Sequence, residues 1–296
     1  MDAANTETDD DSGWNCSVHP SVFFLLGTLV LTICATGMLC ASIMTDHWEE
    51  VTWSQDKLEN FTNVSLKLQW LLERKVAKIT GLDERKPLAF LVPMHGGIWT
   101  LCLSLTDEEI FLLDGVKFPR IPPCVNYLAG NDRIRANYDR KNDWQHSKYS
   151  GDVDHVRQFR MQNLSISCAL VCLIILGSAA LVGAFGVCQH QISAVLVTGV
   201  MYLLAASFAI FTLMIIHLKR LHTKPSRDLD LVGGVDGVVS LPGIHYPREI
   251  LTARIFTTSW SLDLGWGGVT LCVMTSVLWI LLSKIMRFNP ISSMIN

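Results

Sequence analysis

The stretch FFLLGTLVLTICATGMLCASIMTDHW, Phe23–Trp48, decides how this chain is read: 22 residues without a charge, Phe23–Met44, give way at once to Thr45-Asp46-His47-Trp48. As a helix rising ~1.5 Å per residue, that run reaches about 33 Å, enough to cross a hydrocarbon core of roughly 30 Å. A second run, Leu164–Ile216, holds 53 residues without Asp, Glu, Lys or Arg. It is long enough for two crossings joined by the short polar turn Cys188-Gln189-His190-Gln191, which forces an antiparallel pair. A fourth crossing begins around Leu264 and ends near Ser283.

Charge is sorted rather than scarce. Half of the 296 residues are hydrophobic and only 17% are charged, against about 25% in soluble domains. The segment Thr45–Asn163 nevertheless carries 16 Lys/Arg and 17 Asp/Glu, so one nearly neutral hydrophilic domain holds most of the charge. A nucleic-acid partner would need basic residues gathered on one surface, and the sequence offers no such patch. Met1–His19 has five acidic and no basic residues; it lacks a secretory leader's basic start, so the first crossing is expected to be retained.

Cysteine placement follows the same division. Of nine cysteines, Cys102 and Cys124 alone fall in the polar domain. Two thiols isolated in a segment outside the cell are expected to pair. The others, Cys16, Cys34, Cys40, Cys168, Cys172, Cys188 and Cys272, lie in or beside apolar runs or in the N-terminal tail. Cys168 and Cys172 share a helix face but have no His, Asp or Glu beside them, a poor metal site.

Within the polar domain, Trp48 and Trp53 suit the boundary between lipid and water. His47 suggests a metal ligand or proton switch, but without a second ligand at close spacing it reads as an interfacial histidine. Asn60-Phe61-Thr62 and Asn63-Val64-Ser65 are N-glycosylation acceptor patterns at Asn60 and Asn63 and favour an outside location. Val64, Leu68, Leu71, Leu72, Val76 and Ile79 recur at helical intervals and predict a surface helix over Val64–Ile79. Ile98–Thr106 alternates like a strand, and Asp114-Gly115 within Glu109–Phe118 signals a hairpin. Asn126–Ser150 reads as a surface excursion, and Asp152–Asn163 as a short helix leading into the membrane. In the second loop, Gly233-Gly234 and Pro242-Gly243 suggest turns rather than a folded domain.

The expected organisation is a cytoplasmic tail over 1–22, a first crossing over 23–44, and an extracellular loop with a β-sheet domain over 45–163. Crossings follow over 164–187 and 192–216, joined by a cytoplasmic turn at 188–191. A second extracellular loop spans 217–258, a fourth crossing with its extracellular approach 259–283, and a cytoplasmic tail 284–296. The fold class is thus a membrane α-helical four-helix bundle carrying a disulfide-linked β-sheet domain in the first large loop.

These landmarks resemble the claudin/PMP22/EMP and voltage-gated calcium-channel gamma-subunit superfamily over roughly residues 20–285. Trp48, Gly97-Ile98-Trp99, Cys102 and Cys124 look like its tryptophan, Gly-Leu-Trp and paired-cysteine pattern. Ser261 and Gly265-Trp266-Gly267 add weaker support. The resemblance implies that Trp48 and Trp99 anchor the sheet on the bundle and that Cys102 and Cys124 are bridged. The first loop is longer than a tight-junction claudin's, the interval between its cysteines is expanded, and Phe288–Asn296 lacks the valine-containing ending of many claudins. No branch of the superfamily is therefore assigned.

Catalysis finds no support in the residues. Asp152, Asp154 and His155 read as a solvated turn or helix start, and no nucleophile–base–acid set or cofactor motif emerges. The glycine-rich Leu231–Gly243 lacks the Lys-Ser/Thr ending of a phosphate loop. The leading expectation is an auxiliary or assembly subunit that modulates a membrane channel or receptor at the plasma membrane. The alternative is a claudin-like adhesion or junction-organising protein, meeting claudin-like partners in cis or trans at a cell junction.

Overall fold

The computed structural model describes residues 20–61, 66–81, 87–119, 121–126, 151–221, 237–240 and 248–288. Four helices in it are long and apolar enough to cross a membrane. They are α1 (Pro20–Met44), α4 (Gly151–Cys188), α5 (Ile192–Leu221) and α6 (Trp260–Phe288). Among the described residues between α1 and α4 are two short helices, α2 (Gln55–Phe61) and α3 (Asp107–Asp114). The bundle packs in the sequence α4, α5, α6, α1, and α1 barely touches α4.

Small and hydroxylated residues set these contacts, as expected where lipid supplies no hydrophobic drive between helices. Trp279 of α6 donates its indole N–H to Thr32 Oγ1 of α1 at 2.9 Å, and Thr36 of α1 shares a 3.0 Å hydrogen bond with the Tyr202 hydroxyl of α5. Ala179 is fully buried, and a Cβ on Gly183 would lie 3.0 Å from Thr198 of α5. Gly37 faces open space and contributes no close approach.

The hydrophilic domain holds two antiparallel sheets. The first has the order β7-β6-β5-β1-β9, where β1 is Glu49–Trp53, β5 Met94–Gly96, β6 Thr100–Leu103, β7 Cys124–Asn126 and β9 Arg254–Thr258. The second has the order β2-β3-β4-β8, where β2 is Lys67–Leu71, β3 Val76–Thr80, β4 Pro87–Leu91 and β8 Val238–Ser240. Strand β4 reads as an unbroken apolar run because both its faces are buried. Phe90 joins Val51, Met94 and Leu103 from the first sheet and meets Phe118 edge-on, centroids 5.2 Å apart. Ala89 and Leu91 pack on the other side against Leu58 of α2 and Ile250 of the 3-10 helix Arg248–Ala253. Cys102 and Cys124, opposite each other on β6 and β7, are disulfide-bonded.

Two local expectations change within the first loop. Val64–Ile79 is not a helix: Lys67–Leu71 and Val76–Thr80 form a hairpin in full register. Its turn puts Leu72, Glu73 and Arg74 at φ of 50°, 53° and 70°; without a Gly or Asn there, the sequence carries no turn signal. Glu109–Phe118 is not a hairpin. Thr106 caps α3, accepting from the Glu109 N–H while the Glu109 carboxylate accepts from the Thr106 N–H. Such a reciprocal box satisfies two orphan donors of the first turn. Gly115 lies in the right-handed region, φ −62°, instead of the left-handed one that a two-residue hairpin turn requires.

The second loop also does more than turn, since it supplies β8 to one sheet and β9 to the other. Asp152–Asn163 belongs to α4 itself, which runs unbroken to Cys188. Residues 1–19, 127–150, 222–236, 241–247 and 289–296 lie outside the described set, as do Asn63 and the turns predicted at Gly233-Gly234 and Pro242-Gly243. Asn60 lies in α2.

Two measurements check this domain. Thr106→Ala is expected to cost about 1 kcal/mol by removing the cap of α3, read by denaturant unfolding of the purified chain. Peptide mapping without reductant is expected to recover Cys102 joined to Cys124. Reduction should then lower stability by about 3 kcal/mol, the order set by a loop of this length.

Candidate functional site

The site begins with a deficit. The last carbonyls of a helix have no intrahelical donors, and α1 ends where the chain leaves the apolar layer. Three of them find donors here. The Thr45 N–H donates to Ala41 O at 3.1 Å, the Trp48 indole to Ser42 O at 2.7 Å and the Trp99 indole to Ile43 O at 2.6 Å. Trp48, only 2% exposed, and Trp99 thus close the C-terminal end of α1 from two different parts of the domain. Their apolar rings meanwhile join the bundle core.

Gly97 makes this approach possible. A Cβ there would lie 2.6 Å from Asp46 Cα and 2.8 Å from Thr45 O, backbone atoms with no room to yield. Ile98 is buried, and its carbonyl accepts from Gln162 Nε2 of α4 at 2.9 Å. On the other flank the Ser42 hydroxyl donates to Ser261 O at 2.8 Å, and the Thr45 hydroxyl donates to Ser261 Oγ at 2.9 Å. The Ser259 N–H donates to Trp48 O and the Ser261 N–H to His47 O. Gly265 and Gly268 let α6 close on Ser42 and Leu39 of α1. The junction therefore draws on α1, α4, α6 and the loop Gly97-Ile98-Trp99. Trp266 stays outside it: 38% exposed, its ring lies 6.3 Å from that of His217 on α5.

Beside this junction Asp46, His47 and His95 come together, each offering a ligand atom within 4.8 Å of the others. Asp46 Oδ1 is 3.7 Å from His47 Nε2, and Asp46 Oδ2 is 3.7 Å from His95 Nε2. The two imidazoles stack with centroids 4.5 Å apart and planes 12° from parallel. His95 Nδ1 is hydrogen-bonded to Ser104 Oγ at 2.9 Å. Burial holds His95 below the ordinary histidine pKa, and the neighbouring His47 pushes the same way while Asp46 and Glu50 oppose it. Asp46 Oδ2 also lies 3.8 Å from Cys102 Sγ; a disulfide sulfur has no proton to give, so this is contact only.

His47 thus gains the close companion that its local sequence lacked, from β5. Nothing near His95 announces it: Met94-His95-Gly96 becomes significant only when β5 pairs with β1, setting His95 opposite Glu50. Gln162 had a fainter signal, as a polar residue just before the long uncharged run. No protein-family model matches the chain, and no curated protein sequence matches it. The architecture, a four-helix membrane bundle with a disulfide-linked β-sheet loop, is consistent with the claudin/PMP22-like architecture in general and with no specific branch of it.

Substitutions separate the tryptophans. Trp99→Phe keeps a ring but leaves Ile43 O without its indole donor, an expected loss of about 1–3 kcal/mol. Gly97→Ala should cost a similar ~1–3 kcal/mol through overpacking. Trp266→Phe should stay within about 0.5 kcal/mol of the parent, as for surface positions. Equilibrium unfolding in detergent micelles measures all three.

Proposed function

We propose that this protein is an auxiliary or assembly subunit of a plasma-membrane channel or receptor, with its β-domain outside the cell and both chain ends inside. The disulfide supports the outside location of the domain, because that compartment permits oxidation. The acceptor pattern at Asn60, in the same domain, points the same way.

The observation that carries the reading is the junction itself. α1 and α4 hold the β-domain through the Trp48, Trp99 and Gln162 hydrogen bonds and α6 through the Ser261 N–H on His47 O, so a partner touching the domain and a partner touching the helices engage one body. Both surfaces offer apolar contact. In the domain Phe111 and Leu112 of α3 are 79% and 65% exposed, and along α1 Phe23, Leu26, Val30 and Ile33 face outward. A partner whose two conformations fit these surfaces unequally would be biased between them. A coupling of ~1–3 kcal/mol shifts such an equilibrium roughly 5–150-fold.

Gentle detergent extraction from native membranes, followed by partner identification and stoichiometry, tests this. The expected result is a reproducible complex of fixed stoichiometry with a channel or receptor. Replacing both Phe111 and Leu112 with Asp should reduce its recovery at least 10-fold without lowering the yield of the chain. Enrichment at opposed membranes with recovery of only like four-helix proteins would overturn the proposal in favour of junctional adhesion.

A further inference from the structure

We infer that Asp46, His47 and His95 form a binding site for a divalent transition-metal ion of borderline softness, with Zn2+ as the natural probe. The inference is independent of which protein the chain assembles with. Two imidazole nitrogens and one carboxylate oxygen are a donor set that suits Zn2+ with an open fourth position, whereas Ca2+ and Mg2+ favour all-oxygen shells.

Spacing supports this. A tetrahedral Zn2+ with bonds of about 2.0–2.1 Å sets its ligand atoms roughly 3.3 Å apart. Asp46 lies 3.7 Å from a nitrogen of each histidine. Each is too long for an ordinary hydrogen bond; the two distances run to different carboxylate oxygens, and with one atom from each residue the three lie within 4.8 Å of one another, so a shared ion would draw them together by up to about 1.5 Å. The outer support is already in place at His95. Its Nδ1 is engaged by Ser104 Oγ; with Nδ1 donating, the Nε2 lone pair is left towards Asp46, the arrangement that orients a metal-bound imidazole.

One adjustment is required. Imidazole lone pairs lie in the ring plane, and two rings 12° from parallel do not converge on one point. His95 is held by Ser104, so His47 must turn. Its side chain is 44% exposed, and its other ring neighbour, Trp260, stands 6.0 Å away at a 31° tilt. The ion would then join the segment leaving α1 to β5, beside the place where Trp48 and Trp99 close the helix.

The full chain, purified in detergent and stripped with chelator, is titrated with Zn2+ and separately with Co2+. One saturable site is expected, with a Co2+ visible spectrum of mixed nitrogen and oxygen ligation and a raised unfolding temperature on metal addition. His95→Ala and His47→Ala should each weaken binding at least 10-fold, and Ser104→Ala about 10–100-fold, as for other supporting partners of metal ligands. The chain has nine histidines and nine cysteines, so the variants must locate the ion. Should His95→Ala fail to fold, the half-exposed His47→Ala carries the test. Absence of saturable Zn2+ binding, affinity unchanged in His47→Ala, or a thiolate charge-transfer band with Co2+ would each overturn the site.

Discussion

A helix that ends at the edge of a lipid layer must find hydrogen-bond donors for its last carbonyls, and much of this molecule follows from how α1 does so. Water can serve an exposed end, but Ser42 is buried and Ile43 is 3% exposed. The donors instead come from two indoles, Trp48 just past the helix and Trp99 on the loop before β6. Each offers a single N–H on a large apolar body, so one residue both supplies the donor and fills the core around it. Leaving such a buried carbonyl unpaired costs ~1–3 kcal/mol, a considerable share of a stability that is typically about 5–15 kcal/mol in all.

Fixing Trp99 there dictates its surroundings. Its loop must pass against the backbone of Thr45 and Asp46, and the absence of a side chain at Gly97 permits it. Ile98 then turns into the bundle and presents its carbonyl to Gln162, which brings α4 to the same point. The disulfide lies one strand further on, between β6 and β7. It constrains the edge of the sheet that Trp99 leads into, while the junction itself rests on hydrogen bonds and packing.

Legibility in the sequence tracks the range of the interactions. The crossings were readable because lipid enforces long uncharged runs whatever the tertiary structure. The Trp, Gly and Cys landmarks were readable by resemblance, and the indole and glycine geometry gives them a physical reason. The β2–β3 hairpin was hidden because its apolar spacing fits a helix as well as two strands, and three non-glycine residues hold its turn at positive φ. The cap of α3 was legible in Thr106-Asp107-Glu108-Glu109, where that box outweighs the Asp114-Gly115 signal. The companionship of His47 and His95 could not be read locally at all, because it exists only through the β1–β5 register.

The second loop bears on how the halves of the molecule communicate. Strand β1 follows α1 after four residues, β9 precedes α6 by one, and the two strands pair over five positions from Glu49 opposite Thr258 to Trp53 opposite Arg254. Helices α1 and α6 also pack along each other within the bundle. Moving one against the other would shear the ladder above and break the Ser42–Ser261 and Trp279–Thr32 hydrogen bonds below. The ladder and these hydrogen bonds therefore tie α1, α6 and the β1–β9 ribbon into one unit.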